Sequence, residues 1–166
     1  MQKETINILC ATDDNYVPYC GIMLTSLFEN NKDVKVDVYV LIDRSLSKRS
    51  QWRFKKLAEQ YSNSISFIMI DKSFLEKFPT KGMSYWSIAM YYRIFAEQLV
   101  PNHVDRILYL DCDIIVQNTL KALWKIDLTN KAVGVVQDIF TFSEEIYQRL
   151  SIPKELDYFN SGVLLM

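Results

Sequence analysis

The sequence predicts an α/β domain built on a doubly wound, mostly parallel sheet. Three observations carry that prediction. Apolar runs of strand length alternate with segments of helical period. The first run, residues 6–11, is apolar apart from Asn7, as a strand buried on both faces should be. The 166 residues, 49% of them apolar, suffice for one sizeable core and exclude a disordered chain.

The elements follow in order. Residues 6–11 form the first strand, and Thr12-Asp13-Asp14-Asn15-Tyr16 turns the chain at once. Pro18 opens a helix to about Asn30, with Ile22, Met23, Ser26 and Leu27 at helical spacing. Residues 34–40 alternate strictly and make a second strand. Ser45 or Ser47 caps a polar helix to about Tyr61, with Trp52, Leu57 and Ala58 on its packed side. Residues 65–70 are a third strand. Ser73-Phe74-Leu75-Glu76 fits a capping box for a short helix, and residues 79–82 are a loop.

Residues 84–99 have helical period and carry Tyr91, Tyr92 and Arg93; Pro101 ends them. Residues 107–116 hold the next strand, with two carboxylates between two apolar runs that put the pair at the end of a core strand. A short helix over 120–124 follows, then a strand over 132–136 that ends in Gln137-Asp138. Residues 143–150 are a helix closed by Pro153. Residues 159–166 are a last strand, with Asn160-Ser161-Gly162 as a turn at its start. The chain stops inside an apolar run without a cap or polar tail, so it is read as a piece of a longer protein.

Charge and cysteines bound the function classes. Nineteen basic residues stand against twenty acidic, a net charge of -1, and no basic field points to nucleic acid or an anionic membrane. Cys10, Cys20 and Cys112 are odd in number, spread out, and form no C-x-x-C. That argues against a disulfide framework or zinc site and for reduced thiols in the cytoplasm. The apolar run at 8–11 is too short, and Glu4 ahead of it too acidic, for a signal peptide; no run has the length of a membrane span.

The chemistry centres on Asp111-Cys112-Asp113, flanked by apolar runs. In an extended chain, residues i and i+2 share a face, so both carboxylates point one way. Hard oxygen ligands of this kind suit Mg²⁺ or Mn²⁺, most of all where phosphates complete the shell. A surface turn with two acids is the plainer alternative. The four glycines form neither G-x-G-x-x-G nor G-x-x-x-x-G-K-[ST], so a phosphorylated ligand would need its charge neutralised by a metal at this pair. His103, the only histidine, is placed in an exposed loop.

Asp13 and Asn15 follow the first strand. They either solvate a turn or match the donor and acceptors of a uracil edge, with Tyr16 stacking on the ring. Arg93 is either a surface arginine with its stem on aromatics or a guanidinium for phosphate or sugar oxygens. Asn160 is an ordinary turn residue or an amide facing a polar ligand.

Four segments in this order resemble glycosyltransferase family 8: Ala11-Thr12-Asp13-Asp14-Asn15-Tyr16, Tyr92-Arg93, Leu108-Tyr109-Leu110-Asp111-Cys112-Asp113 and Phe159-Asn160-Ser161-Gly162-Val163-Leu164. The family includes lipopolysaccharide galactosyl- and glucosyltransferases and glycogenin. The resemblance implies a glycosyltransferase A fold, here without its C-terminal part. It also implies a UDP-glucose or UDP-galactose donor, Mn²⁺ (or Mg²⁺), a saccharide or glycolipid acceptor and retention of anomeric configuration. By position, Ala11, Asp13, Asn15 and Tyr16 would bind uridine, and Arg93 would lie near the donor's sugar and phosphate. Asp111 and Asp113 would hold the metal, with Cys112 contributing backbone near the ribose, while Asp138 and Asn160 would contact the donor sugar. The full-length protein would be cytoplasmic or peripheral to the membrane. The family's third metal ligand, a histidine in a later H-x-x-G-x-x-K-P-W segment, has no match here, so the chain would hold the donor half of a site.

Two alternatives compete with this reading. One is a non-catalytic nucleotide-sugar-binding module. The other is a haloacid-dehalogenase-type phosphatase, disfavoured because 110 residues precede the aspartate pair and Ile115 stands where a Thr or Val is usual.

Overall fold

The computed structural model describes residues 3–71, 88–138, 144–153, 155–156 and 158–166. Among the described residues, six strands form one sheet: β1 (Thr5–Ala11), β2 (Lys35–Ile42), β3 (Ser64–Met69), β4 (Leu108–Leu110), β5 (Gly134–Gln137) and β6 (Phe159–Leu165). Their order is β3-β2-β1-β4-β6-β5. β1 pairs in parallel with β2 and β4, and β2 with β3, while β6 is antiparallel to both β4 and β5. Five strands therefore point one way and β6 alone reverses. The C-terminal ends of β1 to β5 and the N-terminal end of β6 share one edge of the sheet.

Alternation along the strands divides the core between two faces. Ile6, Ile8, Val36, Val38, Val40 and Leu108 pack on one side against helices α1 (Val17–Glu29) and α2 (Lys48–Gln60). Leu9, Ala11, Leu41, Tyr109 and Leu164 face the other, against Tyr92 of a 3-10 helix (Ile88–Phe95) and Ala96 of α3 (Ala96–Leu99), which continues it. Full burial of each such aliphatic side chain contributes roughly 1.5–3 kcal/mol.

Pro18 lies in the first turn of α1, where no helical N–H is required. Ser47 caps α2, its Oγ accepting from the Ser50 N–H at 3.2 Å. At the other end of α1, Asn30 donates to the Val116 carbonyl at 2.8 Å, and buried Asn31 accepts the Leu120 N–H at 2.8 Å. These amides clamp the segment leading to α4 (Lys121–Trp124) onto α1. The last helix, α5, spans Glu144–Leu150.

Several expectations need correction. Trp52 and Ile22 are 60% and 56% exposed; the buried faces are Ser50, Phe54 and Ala58 on α2 and Cys20, Met23, Leu24, Leu27 and Phe28 on α1. The described part of the 84–99 segment is mainly 3-10, with only its last turn α-helical. β4 stops at Leu110, so Asp111 and Asp113 do fall at the end of a core strand, but on a turn and not in extended chain. Apolar Ile114–Val116 is held by α1 instead, through the Val116 N–H donating to the Ser26 Oγ at 3.0 Å. Asn160-Ser161-Gly162 belongs to β6 itself. The capping box at 73–76, the loop at 79–82 and residues 84–87 fall outside the described residues.

Candidate active site

Every one of the five like-directed strands is followed within two residues by an aspartate: Asp13, Asp43, Asp71, Asp111 and Asp138. The sheet edge is thus an acidic rim. A cavity of about 980 Å³ opens there. Its described walls include Ala11, Asp13 and Tyr16 after β1, Tyr91 and Arg93 from the 3-10 helix, and Asp111, Cys112 and Asp113 after β4. Asp138 after β5, with Phe159, Asn160, Ser161 and Gly162 of β6, completes them.

The acids of the first turn divide their roles. The Asp13 Oδ1 accepts the N–H groups of Asn15 and Tyr16, at 2.9 and 3.1 Å, and so builds the turn that enters α1. Asp14 turns away from the cavity. It accepts from the Ser47 N–H at 3.1 Å and the Ser50 hydroxyl at 2.8 Å, tying this turn to the start of α2. Those donors, the Ser47 N–H first, hold its pKa below the ordinary carboxylate value. Asn15 is exposed and does not line the cavity. Tyr16 lines it, its ring 5.5 Å from that of Tyr19.

The β4 turn carries the densest network. Arg93 Nη2 lies 2.9 Å from the Asp111 Oδ1, and Nη1 donates to Oδ2 at 3.4 Å. The same Nη1 donates to the Ser161 carbonyl at 2.5 Å and lies 3.2 Å from its hydroxyl. The guanidinium lies over the Tyr109 ring, 4.7 Å from its centre, and the Tyr109 hydroxyl donates to the Asp111 Oδ1 at 2.8 Å. Burial first, then the charge of Asp111, raises the Tyr109 pKa far above its usual value, so the phenol stays a donor. Burial likewise pushes the Cys112 thiol up to about 12, which leaves it protonated and a poor nucleophile at neutral pH.

Neighbouring strands hold this turn in place. The Asp111 N–H donates to the Gly162 carbonyl at 2.8 Å, continuing the β4–β6 ladder by one bond. The Asp138 N–H donates to the Tyr158 carbonyl at 2.9 Å, extending the β5–β6 pairing. The Asn160 Oδ1 accepts the Gly162 N–H at 2.7 Å, within β6 where it lines the cavity.

Among the described lining residues, four carboxylates face one guanidinium. An anionic ligand entering this space needs a cation beside it. Asp111 and Asp113 offer hard carboxylate oxygens from one turn, a donor set that suits Mg²⁺ or Mn²⁺. No group of three or more His, Cys, Asp or Glu suited to a metal occurs among the described residues. His103 is exposed, as expected. No helix among the described residues is long and apolar enough to cross a membrane.

Of the residues expected at a site, Ala11, Asp13, Tyr16, Arg93, Asp111, Cys112, Asp113, Asp138 and Asn160 meet at this cavity, and Asn15 alone does not line it. Tyr109 and Ser161 escaped the sequence reading. Tyr109 resembled a core residue of an apolar run, yet its place two residues before Asp111 was the available signal.

Residues 7–166 match the family described as "Glycosyl transferase family 8". Over 165 residues, 99% of its length, the chain is 35% identical to the lipopolysaccharide 1,2-glucosyltransferase of Escherichia coli K12 and covers 48% of it. It is 27% identical over 167 residues to the lipopolysaccharide 1,3-galactosyltransferase of Salmonella typhimurium, spanning 98% of this chain and 48% of that protein. The solved galactosyltransferase LgtC, in complex with donor and acceptor sugar analogues, superposes with a TM-score of 0.88 at 28% identity, over 97% of this chain and 57% of that one. The sheet is that of a glycosyltransferase A fold. The chain spans about half the length of the curated relatives it matches. The family match includes the aspartate pair, which removes the phosphatase reading.

Proposed function

From the premise that the chain belongs to glycosyltransferase family 8, we propose that it forms the donor-binding part of a retaining hexosyltransferase. The donor is UDP-glucose or UDP-galactose, the metal Mn²⁺ (or Mg²⁺), and the acceptor a saccharide or glycolipid of the cell surface. The observation that carries the reading is the cavity at the sheet edge, where four carboxylates and one arginine surround space for a nucleotide sugar.

Each side chain has a task in it. The Asp13 carboxylate faces the uracil N3–H, Asn15 offers an exposed amide on the same turn, and Tyr16 provides a ring face for the base. Ala11, small and at the end of β1, leaves room for the nucleoside. Cys112 contributes backbone beside the ribose. Asp111 and Asp113 hold the divalent ion, which when bound offsets the charge that gathers on the UDP leaving group. Arg93 supports the same charge from the sugar side, and Asp138 with Asn160 orients the hexose hydroxyls. The acceptor hydroxyl approaches from the face that UDP vacates.

Nucleotide-dependent melting tests this. A ligand that binds only the folded state raises its melting temperature. UDP with Mn²⁺ should raise it well above ADP or GDP with Mn²⁺. Equal shifts with all three would remove the uridine assignment, and no shift with any would remove the donor site.

A further inference from the structure

Resting on the reading of Asp111 as a metal ligand, we infer that Tyr109 is a positioning residue that holds the Asp111 carboxylate for the cation through its hydroxyl. Two groups grip that carboxylate: the Arg93 fork, at 2.9 and 3.4 Å, and the Tyr109 hydroxyl, at 2.8 Å. They respond differently to a dication on the same oxygens. Arg93 carries like charge and would be repelled by a bound cation, and it has a second anchorage on the Ser161 carbonyl and hydroxyl. The tyrosine is a neutral donor, so its bond is the one that survives. A carboxylate has about four acceptor directions, and the phenol occupies one while leaving the rest for metal.

The hydroxyl's position is itself well determined. Tyr109 is 2% exposed, its backbone paired to Leu9 of β1 and Leu164 of β6, and its ring lies under the guanidinium. One side chain thus touches both the ligand and the arginine beside it. Hydrogen-bond partners of metal ligands commonly change metal affinity by about 10–100-fold when removed.

Tyr109→Phe is the test, because it deletes one oxygen and keeps the ring. Asp111, partly exposed and still paired with Arg93, is not left as a buried orphan. Calorimetry would measure UDP affinity with and without saturating Mn²⁺, and thermal melting would confirm the fold. In Tyr109→Phe the UDP affinity without metal should stay as in the unsubstituted chain, while its enhancement by Mn²⁺ falls by about 10-fold or more. In an Asp111→Asn background, the same deletion should change nothing further. An undiminished Mn²⁺ enhancement in Tyr109→Phe, with or without a lower melting temperature, would overturn the inference and leave Tyr109 a packing residue. If UDP binding by the unsubstituted chain ignores Mn²⁺, the assignment of Asp111 as a ligand fails, and this inference with it.

Discussion

The Asp111 carboxylate leans into the space that Gly162 leaves by lacking a side chain. A Cβ at residue 162 would stand 2.8 Å from the Asp111 Oδ2 and 3.0 Å from the Asn160 Oδ1. Both are ends of side chains assigned to the site, so Gly162→Ala should displace them and spare the sheet. The expected result is a loss of about 10-fold or more in Mn²⁺-dependent UDP affinity. Stability should move by no more than about 1 kcal/mol, because removing a strand glycine is itself worth roughly 0.5–1 kcal/mol. Calorimetry and urea denaturation read the two quantities. Unfolding with unchanged affinity in the folded remainder would make Gly162 a fold residue only.

Asp13→Asn separates turn-building from base recognition. Asparagine keeps an Oδ1 for the Asn15 and Tyr16 N–H groups but presents NH₂ donors where the carboxylate accepted. UDP affinity should fall about 10–100-fold, the worth of a hydrogen bond to a charged group at roughly 1.5–3 kcal/mol. CDP, whose base has an acceptor at N3, should gain on UDP. An unchanged UDP-to-CDP ratio would take Asp13 away from the base.

Arg93→Lys keeps the charge and loses the planar fork. An ammonium cannot span both Asp111 oxygens and Ser161 as the guanidinium does. Affinity for the UDP-sugar with Mn²⁺ should drop about 10-fold, with little change in melting temperature. A lower melting temperature at full affinity would show that Arg93 packs and does not bind.

Asp14 predicts a pH-dependent stability term. Its pKa is depressed in the folded chain by Ser47 and Ser50, so its contribution is present above the unfolded value and is lost as pH falls through the folded one. At neutral pH, Asp14→Asn should cost under about 1 kcal/mol, since the carboxylate is exposed and screened. The difference from the unsubstituted chain should shrink steadily below about pH 4, the unfolded value. Urea denaturation at several pH values reads it; a gap that widens toward acid would reverse the sign and refute the assignment.

How far the sequence spoke depended on the range of the forces involved. β1, α1, β2 and α2 were legible because periodicity and capping are local: Ser47 and Pro18 act within one turn. The placement of the apolar stretch after Asp113 was not legible, since it depends on Ser26 and Asn30, about ninety residues away. The reversal of β6 is set by its neighbours, which no local pattern records. At the site, the aspartates and Arg93 stood out as costly charges among apolar residues. Their pairing was hidden because Arg93 reaches Asp111 and Ser161 only through the tertiary fold. Tyr109 was concealed by being aromatic in an apolar run, where packing is the default reading.

The central claim is a two-carboxylate metal site that becomes complete only with nucleotide. Calorimetric titration of Mn²⁺ and UDP, each with and without the other, tests it most directly. Mn²⁺ alone should bind weakly, because Asp111 and Asp113 supply too few ligands for six-fold coordination. Together, Mn²⁺ and UDP should strengthen each other by one common factor, as linkage requires. Asp111→Asn with Asp113→Asn should bring that factor to one while the chain stays folded. Tight Mn²⁺ binding without nucleotide, or UDP binding indifferent to Mn²⁺, would contradict the account.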